Sequence, residues 1–526
     1  MNLRRIVSIP ISLGASLSLI LPSAIRAQRP LAANDTAPPP VMREFRAVWI
    51  ATVANIDWPS RPGLSTAQQQ AEMVALLDRA VAMHMNAVVF QVRPQADALY
   101  QSDSEPWSPF LTGTMGVAPV PFYDPLAFVI REAHARGLQV HAWFNPYRAL
   151  FPGSPGAPSA DHVTRADPSA VRRYGSQIWM DPGDPTVVSR TIRAVLDVTE
   201  RYDVDGIHID DYFYPYRETD RSGRTIQFPD EASYARYTSA EGTLSLNDWR
   251  RFNVDRFVHR IGSEIHKVKP WVLFGVSPFG IWRPGYPPSV RGLDSYEELF
   301  ADSRKWLREG WVDYLAPQLY WPIGRPQQDF SQLLGWWVSQ NVGGRHIWAG
   351  LNAALAYNGP PKGRGAAEIL DQIRLSRTTP GATGQIFFSA KIFMQDPDSL
   401  AERLALGNYA QPAIIPPSPW LWKTAPRAPQ AISRMNMTTG AIMIDMDPAR
   451  GEGAPWQWVL QSRTATGWTT QVVPGSRNTL TLASPGTRSP SEVRVFAVGR
   501  TGNMSPPERV FPNGDPLPLS SYGDRR

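Results

Sequence analysis

The chain has 526 residues, 43% of them hydrophobic and 19% charged, so a sizeable core is available and global disorder is excluded. Its 53 Lys and Arg against 47 Asp and Glu leave a net charge of +6 with no dense basic run, a balance compatible with an anionic wall polymer and without a nucleic-acid signature. There is no cysteine, which excludes disulfides, thiolate metal sites and a lipid anchor on an N-terminal cysteine.

Residues 1–27 read as a secretory signal peptide: Arg4 and Arg5 precede an apolar stretch from Ile6 to Leu21, and cleavage is expected after Ala27. No later stretch is long and apolar enough to span a bilayer, so an exported, soluble protein of the periplasm or cell exterior is expected, not a lipoprotein. Residues 28–41, with Pro38-Pro39-Pro40, form a flexible spacer. A regular alternation of strand and helix then begins. Strands are predicted at Phe45–Val53, Ala87–Val92, Gln139–Phe144, Gly206–Asp210, Val272–Val276, Tyr314–Leu319, His346–Leu351 and Gln385–Phe388. Helices are predicted at Thr66–Met83, Asp124–Arg136, Pro185–Arg201, Ser245–Val268, Ser295–Glu309, Phe330–Gln340, Ala366–Arg377 and Asp398–Gly407. Eight such units without a Gly-rich phosphate loop predict an α/β fold, a (β/α)8 TIM barrel over 42–411. The long, Pro- and aromatic-rich loops 93–122, 145–184, 211–244 and 278–294 follow strands two to five, at the face where such barrels carry their site.

A Pro-rich linker, 412–430, leads to a small all-β sandwich over 431–512 and a tail at 513–526. Its strands are expected at Ala441–Met446, Trp456–Ser462, Thr479–Leu482 and Glu492–Val498, and the segment EVRVFAVGRTGNMSP resembles fibronectin type III modules.

Alternation of side chains along each strand selects the inward set. With Ile207 and Ile209 facing the helices, Gly206, His208 and Asp210 face inward. The same parity turns Gln91 and Arg93 inward on strand two, and His141, Trp143 and Asn145 on strand three. Ser277, Gln318, Tyr320, Asn352, Ser389 and Lys391 follow at the ends of later strands. Asp210 and Asp211 are the candidate catalytic pair, because a close like-charged pair raises one pKa and suits proton donation to a leaving oxygen. Asp210 is also open to a structural role, bonded to backbone or to Arg93. No other barrel strand ends in an acid, so a second carboxylate has to come from Asp57, Asp97, Glu105, Asp181, Glu218 or Asp220. The alternative is substrate assistance, with a 2-acetamido oxygen as nucleophile and the two aspartates orienting the amide and protonating the leaving group. Trp58, Trp107, Tyr147, Tyr212, Tyr214, Trp282 and Trp321 sit in loops where they are candidates for sugar stacking.

The segments FRAVWIATVANIDWPS, NAVVFQVRPQADALY, EPWSPFLTG, VHAWFNPYR, WMDPGDP, DGIHIDDYFYPY, FGVSPFGIWR, DYLAPQLYWPIG and GQIFFSAK carry a resemblance. Over about residues 43–410 the chain resembles the bacterial glycosyl-hydrolase-like family ten. The resemblance implies hydrolysis of a cell-envelope glycan, with peptidoglycan glycan strands as the polymer. It places the acids at Asp210 and Asp211 and matches Gln91, Arg93, Asn145, Tyr147, Gln318 and Tyr320 as further polar positions. The reading is therefore an exported glycoside hydrolase that needs no cofactor and no metal. Its partner is a polysaccharide met by Gln91, Arg93, Asn145, Tyr147, His208, Tyr212, Tyr214, Ser277, Gln318, Tyr320 and Asn352. Two other readings stand beside it: a metal-dependent polysaccharide deacetylase with His208 or His141 as ligand, and a barrel that binds glycan without cleaving it.

Overall fold

The computed structural model describes residues 37–512 apart from 437, 440 and 484–488. The expected signal peptide, residues 28–36 of the spacer and the tail lie outside the described residues. Eight parallel strands close into a barrel in chain order: β1 (Phe45–Ile50), β2 (Ala87–Arg93), β3 (Gln139–Phe144), β4 (Gly206–Ile209), β5 (Leu273–Val276), β6 (Tyr314–Leu315), β7 (His346–Asn352) and β8 (Ala382–Phe388). The first seven are wholly or nearly wholly buried, and β8 is buried along its middle, because helices cover one face and the barrel interior the other.

The covering helices are α1 (Thr66–Ala82), α2 (Pro125–His134), α3 (Pro185–Arg201), α4 (Leu246–Val268), α5 (Ser303–Arg308), α6 (Phe330–Gln340), α7 (Ala366–Thr378) and α8 (Leu400–Arg403). Their starts are written locally. Ser65 and Gln68 form a capping box on α1, and Asp124 and Asp184 cap α2 and α3 ahead of a proline at the first helical position.

Parity holds on β4: Ile207 and Ile209 join the outer core, and His208 lies inside among Trp49, Trp143 and Tyr314. The interior is tight. A Cβ on Gly206 would come within 2.4 Å of His141 Nδ1, and one on Gly275 within 2.1 Å of the Tyr314 ring.

Parity fails on β2, and the reason is a β-bulge. Gln91 pairs with Trp143, but Arg93 pairs with Phe144, so Val92 is the extra residue and Arg93 takes the outward phase. Arg93 is fully buried and makes a two-pronged ion pair with Glu105, at 2.5 and 2.6 Å, while donating to the Asn145 carbonyl at 2.7 Å. The expectation of an inward, sugar-facing Arg93 is corrected accordingly.

Two other elements differ from expectation. The helix expected over Ser295–Glu309 is split into Ser295–Glu298 and α5, because Phe300 has φ +53° and Asp302 caps a new start. Strand six keeps regular pairing only at Tyr314–Leu315, since Pro317 has no N–H to give; Gln318 continues it through bridges to Phe279 and Gly350.

After the barrel, two antiparallel sheets share one core. β9 (Gln430–Met435), β10 (Ile442–Asp447) and β13 (Thr479–Ala483) pair in the order β9-β10-β13. β11 (Gln457–Thr464), β12 (Gly467–Pro474), β14 (Glu492–Val498) and β15 (Glu508–Val510) pair as β12-β11-β14-β15. Ile444 and Met446 meet Trp458, Leu460 and Val495 between the sheets. The Pro-rich connector is packed: Ile415 belongs to the barrel's interior cluster, and Ile414 packs on Val459, Phe496 and Val498 of the module. At the same end Arg500 pairs with Asp203 and reaches Asp205 at 3.6 Å, and Asp205 takes His134 Nε2 at 2.8 Å.

Removing Glu105 strands a buried guanidinium. Glu105→Gln is expected to cost about 3–5 kcal/mol of unfolding free energy in urea titrations. A loss below about 1 kcal/mol, the range of an exposed pair, would show that the bridge carries no such weight.

Candidate active site

A cavity of about 300 Å³ opens at the carboxyl ends of the strands. Trp49 comes from β1, Gln91 from β2, Trp143 from β3, Asp210 from the end of β4, Ser277 from the end of β5, Gln318 and Tyr320 from beyond β6, and Phe388 from β8. Arg148, Phe151, Asp211 and Tyr212 complete its walls from the loops after β3 and β4.

Asp210 is 4% exposed. Its Oδ2 accepts from Trp143 Nε1 at 3.0 Å and from Asn145 Nδ2 at 3.2 Å, and its Oδ1 accepts from the Tyr212 amide at 3.3 Å. Burial pushes its pKa up to about 7; the Asp211 charge adds to this, while Arg148, Trp143 and the Tyr212 amide oppose it. Asp211 is likewise buried, and burial raises its pKa against the opposing hydrogen bonds of Tyr216 and Gln318. Tyr216 donates its phenolic hydrogen to Asp211 Oδ2. Burial and the Asp211 charge hold that phenol far above its ordinary range, so it stays a donor.

Under the pair runs a fixed line of hydrogen bonds. Burial lowers the His208 pKa well below its ordinary value, so the ring is neutral. The Trp49 indole, which can only donate, lies 3.2 Å from His208 Nε2 and makes that nitrogen the acceptor. Ser277 Oγ is 2.9 Å from the same nitrogen and therefore donates to it. The proton sits on Nδ1, which faces the Tyr314 hydroxyl at 3.0 Å, and Tyr314 in turn gives its hydrogen to His141 Nδ1 at 2.9 Å. The floor of the cavity thus has one hydrogen-bond polarity.

Gln91 is held as firmly. Its Oε1 accepts from the Thr52 and Val53 amides, each at 2.9 Å, which fixes the amide orientation, and its Nε2 has no protein partner.

Of the expected residues, Asp210, Asp211, Gln91, Tyr212, Ser277, Gln318 and Tyr320 come together at the cavity, with Asn145 directly behind Asp210. Others do not reach it. Arg93 lies beyond the bulge, paired with Glu105. Tyr147 is buried against Phe257 in the helix layer. Tyr214 packs on Phe228 and Phe300. His208 lies one layer below, and Asn352 caps the turn at Ala354. Among the aromatics expected to stack on sugar, Tyr212 lines the cavity, whereas Trp58, Trp107, Trp282 and Trp321 do not.

None of the loop acids lines the cavity. Asp57 ties Ala51 to Ser389 and Lys391, and Asp97 takes the Gln95 amide. Glu105 holds Arg93, Asp181 takes Ser233 and Arg172, Glu218 takes Ser176, and Asp220 closes its own turn. Asp210 and Asp211 are the acids lining the cavity. Among the described residues no group of three or more His, Cys, Asp or Glu stands ready to hold a metal ion, and His141 and His208 are both turned toward Tyr314. A wider cleft of about 870 Å³ lies at the other end of the barrel against the module; its lining acid, Glu452, is held by Arg427.

Several lining residues were not anticipated. Trp49 was open to the parity argument, because it shares a face with Ala47. Arg148 was not, since its side chain is aimed by loop structure: it begins a small antiparallel sheet (Arg148–Leu150, Val171–Tyr174, Gln177–Met180).

The chain belongs to the glycosyl hydrolase-like 10 family, which matches residues 44–356. It is 41% identical to the glycosyl hydrolase YngK of Bacillus subtilis (strain 168), over 74% of this chain and 76% of that one. It is 36% identical to the glycosyl hydrolase DigH of Escherichia coli (strain K12), over 65% of this chain and 82% of the relative. Among solved structures, the glycoside hydrolase domain of PgaB from Bordetella bronchiseptica aligns at 13% identity and a TM-score of 0.44, covering 70% of this chain and 99% of that one. The protein is a glycoside-hydrolase-type barrel with its acids at the end of β4.

A carboxylate whose pKa is raised on folding favours the folded state while it is protonated. That contribution is complete below the unfolded value of about 3.9 and is lost as pH climbs through about 7. Asp210→Asn escapes the loss. Its melting temperature minus that of the wild type is therefore expected to rise between pH 5 and pH 8, and a difference flat across that window would contradict the shift.

Proposed function

We propose that the protein is an exported glycoside hydrolase that cleaves glycosidic bonds of an N-acetylated cell-envelope polysaccharide, with peptidoglycan glycan strands as the polymer. One observation carries this reading: the acids lining the cavity are two adjacent aspartates, and the Asp210 pKa is raised to about 7 by burial. A neutral Asp210 is a proton donor at working pH. Adjacent carboxylates cannot flank a glycosidic bond from opposite faces, which favours assistance by the substrate.

In that mechanism Asp210 gives its proton to the glycosidic oxygen as the bond to the anomeric carbon breaks. The 2-acetamido oxygen attacks that carbon, and Asp211 holds the amide N–H, with Tyr216 fixing Asp211 in turn. Water then attacks the anomeric carbon of the oxazolinium ion, which reopens to the acetamide, and gives one of its protons to Asp210. Gln91, Ser277, Gln318 and Tyr320 are the polar groups positioned to orient the sugar, and Tyr212 offers it an aromatic face. The 3+4 strand order of the C-terminal sheets supports the fibronectin type III-like reading of the module.

The test is incubation of the purified protein with peptide-free glycan strands, read by mass spectrometry. Shorter saccharides are expected, and their absence across several N-acetylated glycans would sink the proposal. Asp210→Asn is expected to lower kcat at least about a hundredfold. The basic limb of kcat/KM is expected to fall near pH 7, where Asp210 loses its proton. Inhibition by an N-acetylglucosamine-derived thiazoline separates substrate assistance from an inverting route, which such a compound leaves untouched.

A further inference from the structure

Five arginines are buried among the described residues: Arg46, Arg93, Arg148, Arg250 and Arg251. Four of them have a carboxylate at ion-pair distance: Glu44 for Arg46, Glu105 for Arg93, Asp230 for Arg250, and Asp248 with Glu297 for Arg251. Arg148, 6% exposed, makes no such pair, although it lines the cavity beside Asp210 and Asp211. Its guanidinium donates to the Pro94 carbonyl at 3.3 Å, and its Nε is buried with no partner. The plane is held by Tyr212, whose ring centre lies 4.4 Å from the guanidinium carbon, and the Arg148 amide is pinned by Asn145 Oδ1 at 2.8 Å.

A buried cation without a carboxylate partner is costly, and its cost is offset when an anion docks on it. We infer that Arg148 is a specificity-determining residue that receives a carboxylate carried by the substrate sugar, of the 3-O-lactyl ether type. This rests on the hydrolase reading above and narrows it to glycans bearing an acidic substituent. A neutral hydroxyl in the same place accepts one hydrogen bond and leaves the charge uncompensated, whereas a carboxylate takes two parallel N–H bonds. The bland alternative is that Arg148 serves only as counter-charge to the aspartates, whose ionisation it favours.

The two roles separate in a two-by-two comparison. Wild type and Arg148→Gln are each assayed on peptide-free glycan strands with free lactyl carboxylates, and on the same strands after chemical reduction of those carboxylates to alcohols. Reduction is expected to lower wild-type kcat/KM about tenfold to a hundredfold. Arg148→Gln is expected to lose that factor on the native strands over and above whatever it loses on the reduced ones, so that the variant no longer distinguishes the two. Equal losses on both substrates would overturn the proposal and assign Arg148 as counter-charge. Wild type cleaving both strands alike would also overturn it and requires no variant. Arg148→Lys, which keeps the charge without the fork, is expected to fall between. If wild type cleaves neither strand, the hydrolase reading fails; calorimetric binding of the two strands then decides this inference, tighter binding of the carboxylate form supporting it and equal binding overturning it.

Discussion

Two neighbouring carboxylates are kept out of water at the end of β4, and the mouth of the barrel is arranged around what that costs. An ionised carboxylate in an apolar site is tolerated only with donors and compensating charge close by. Asp210 receives Trp143, Asn145 and a backbone amide, yet burial outweighs them and the group keeps its proton to about pH 7. Asp211 receives Tyr216, so its anionic form has a strong donor. The two environments differ although the residue is the same.

The remaining parts follow from the need to hold this pair still. Trp143 is positioned by β3, Asn145 by its contact with Arg148 and by the Arg93 donor behind it, and the floor by the His208–Tyr314–His141 line. His208, Tyr314 and His141 make no hydrogen bond to the cavity's acids; they fix one another, Trp49 and Ser277 beneath them. Arg93 acts from the helix side of the sheet, through the carbonyl of the residue whose side chain touches Asp210.

The barrel, its strand order and the location of the site were legible in the sequence because they depend on two simple periodicities and on where long loops fall. Asp210, Gln91 and Ser277 emerged from alternation alone and reach the cavity. Alternation misplaced Arg93 because a one-residue bulge at Val92 leaves no mark in composition. Tyr147 and Tyr214 were misread for another reason: a loop aromatic can turn to the helix layer or to the mouth, and only packing decides. Arg148 escaped because its direction is set by a small sheet within the 145–184 loop. In the module, the edge strands β9 and β15 are short or polar and lack the alternation that marked the inner ones.

The connector and the module also bear on the strand that carries the acids. Asp205, directly before β4, receives His134, the Val140 amide and the reach of Arg500 from the module, and Asp210 stands five residues further on, ~17 Å along an extended chain. Ile415 meanwhile plugs the opposite mouth of the barrel. In mechanical terms β4 is a beam gripped at its far end by another part of the chain, and the barrel is a vessel whose base is supplied from outside its own eight repeats. A chain ending at Gln411 would have neither the Arg500 grip nor the Ile415 base.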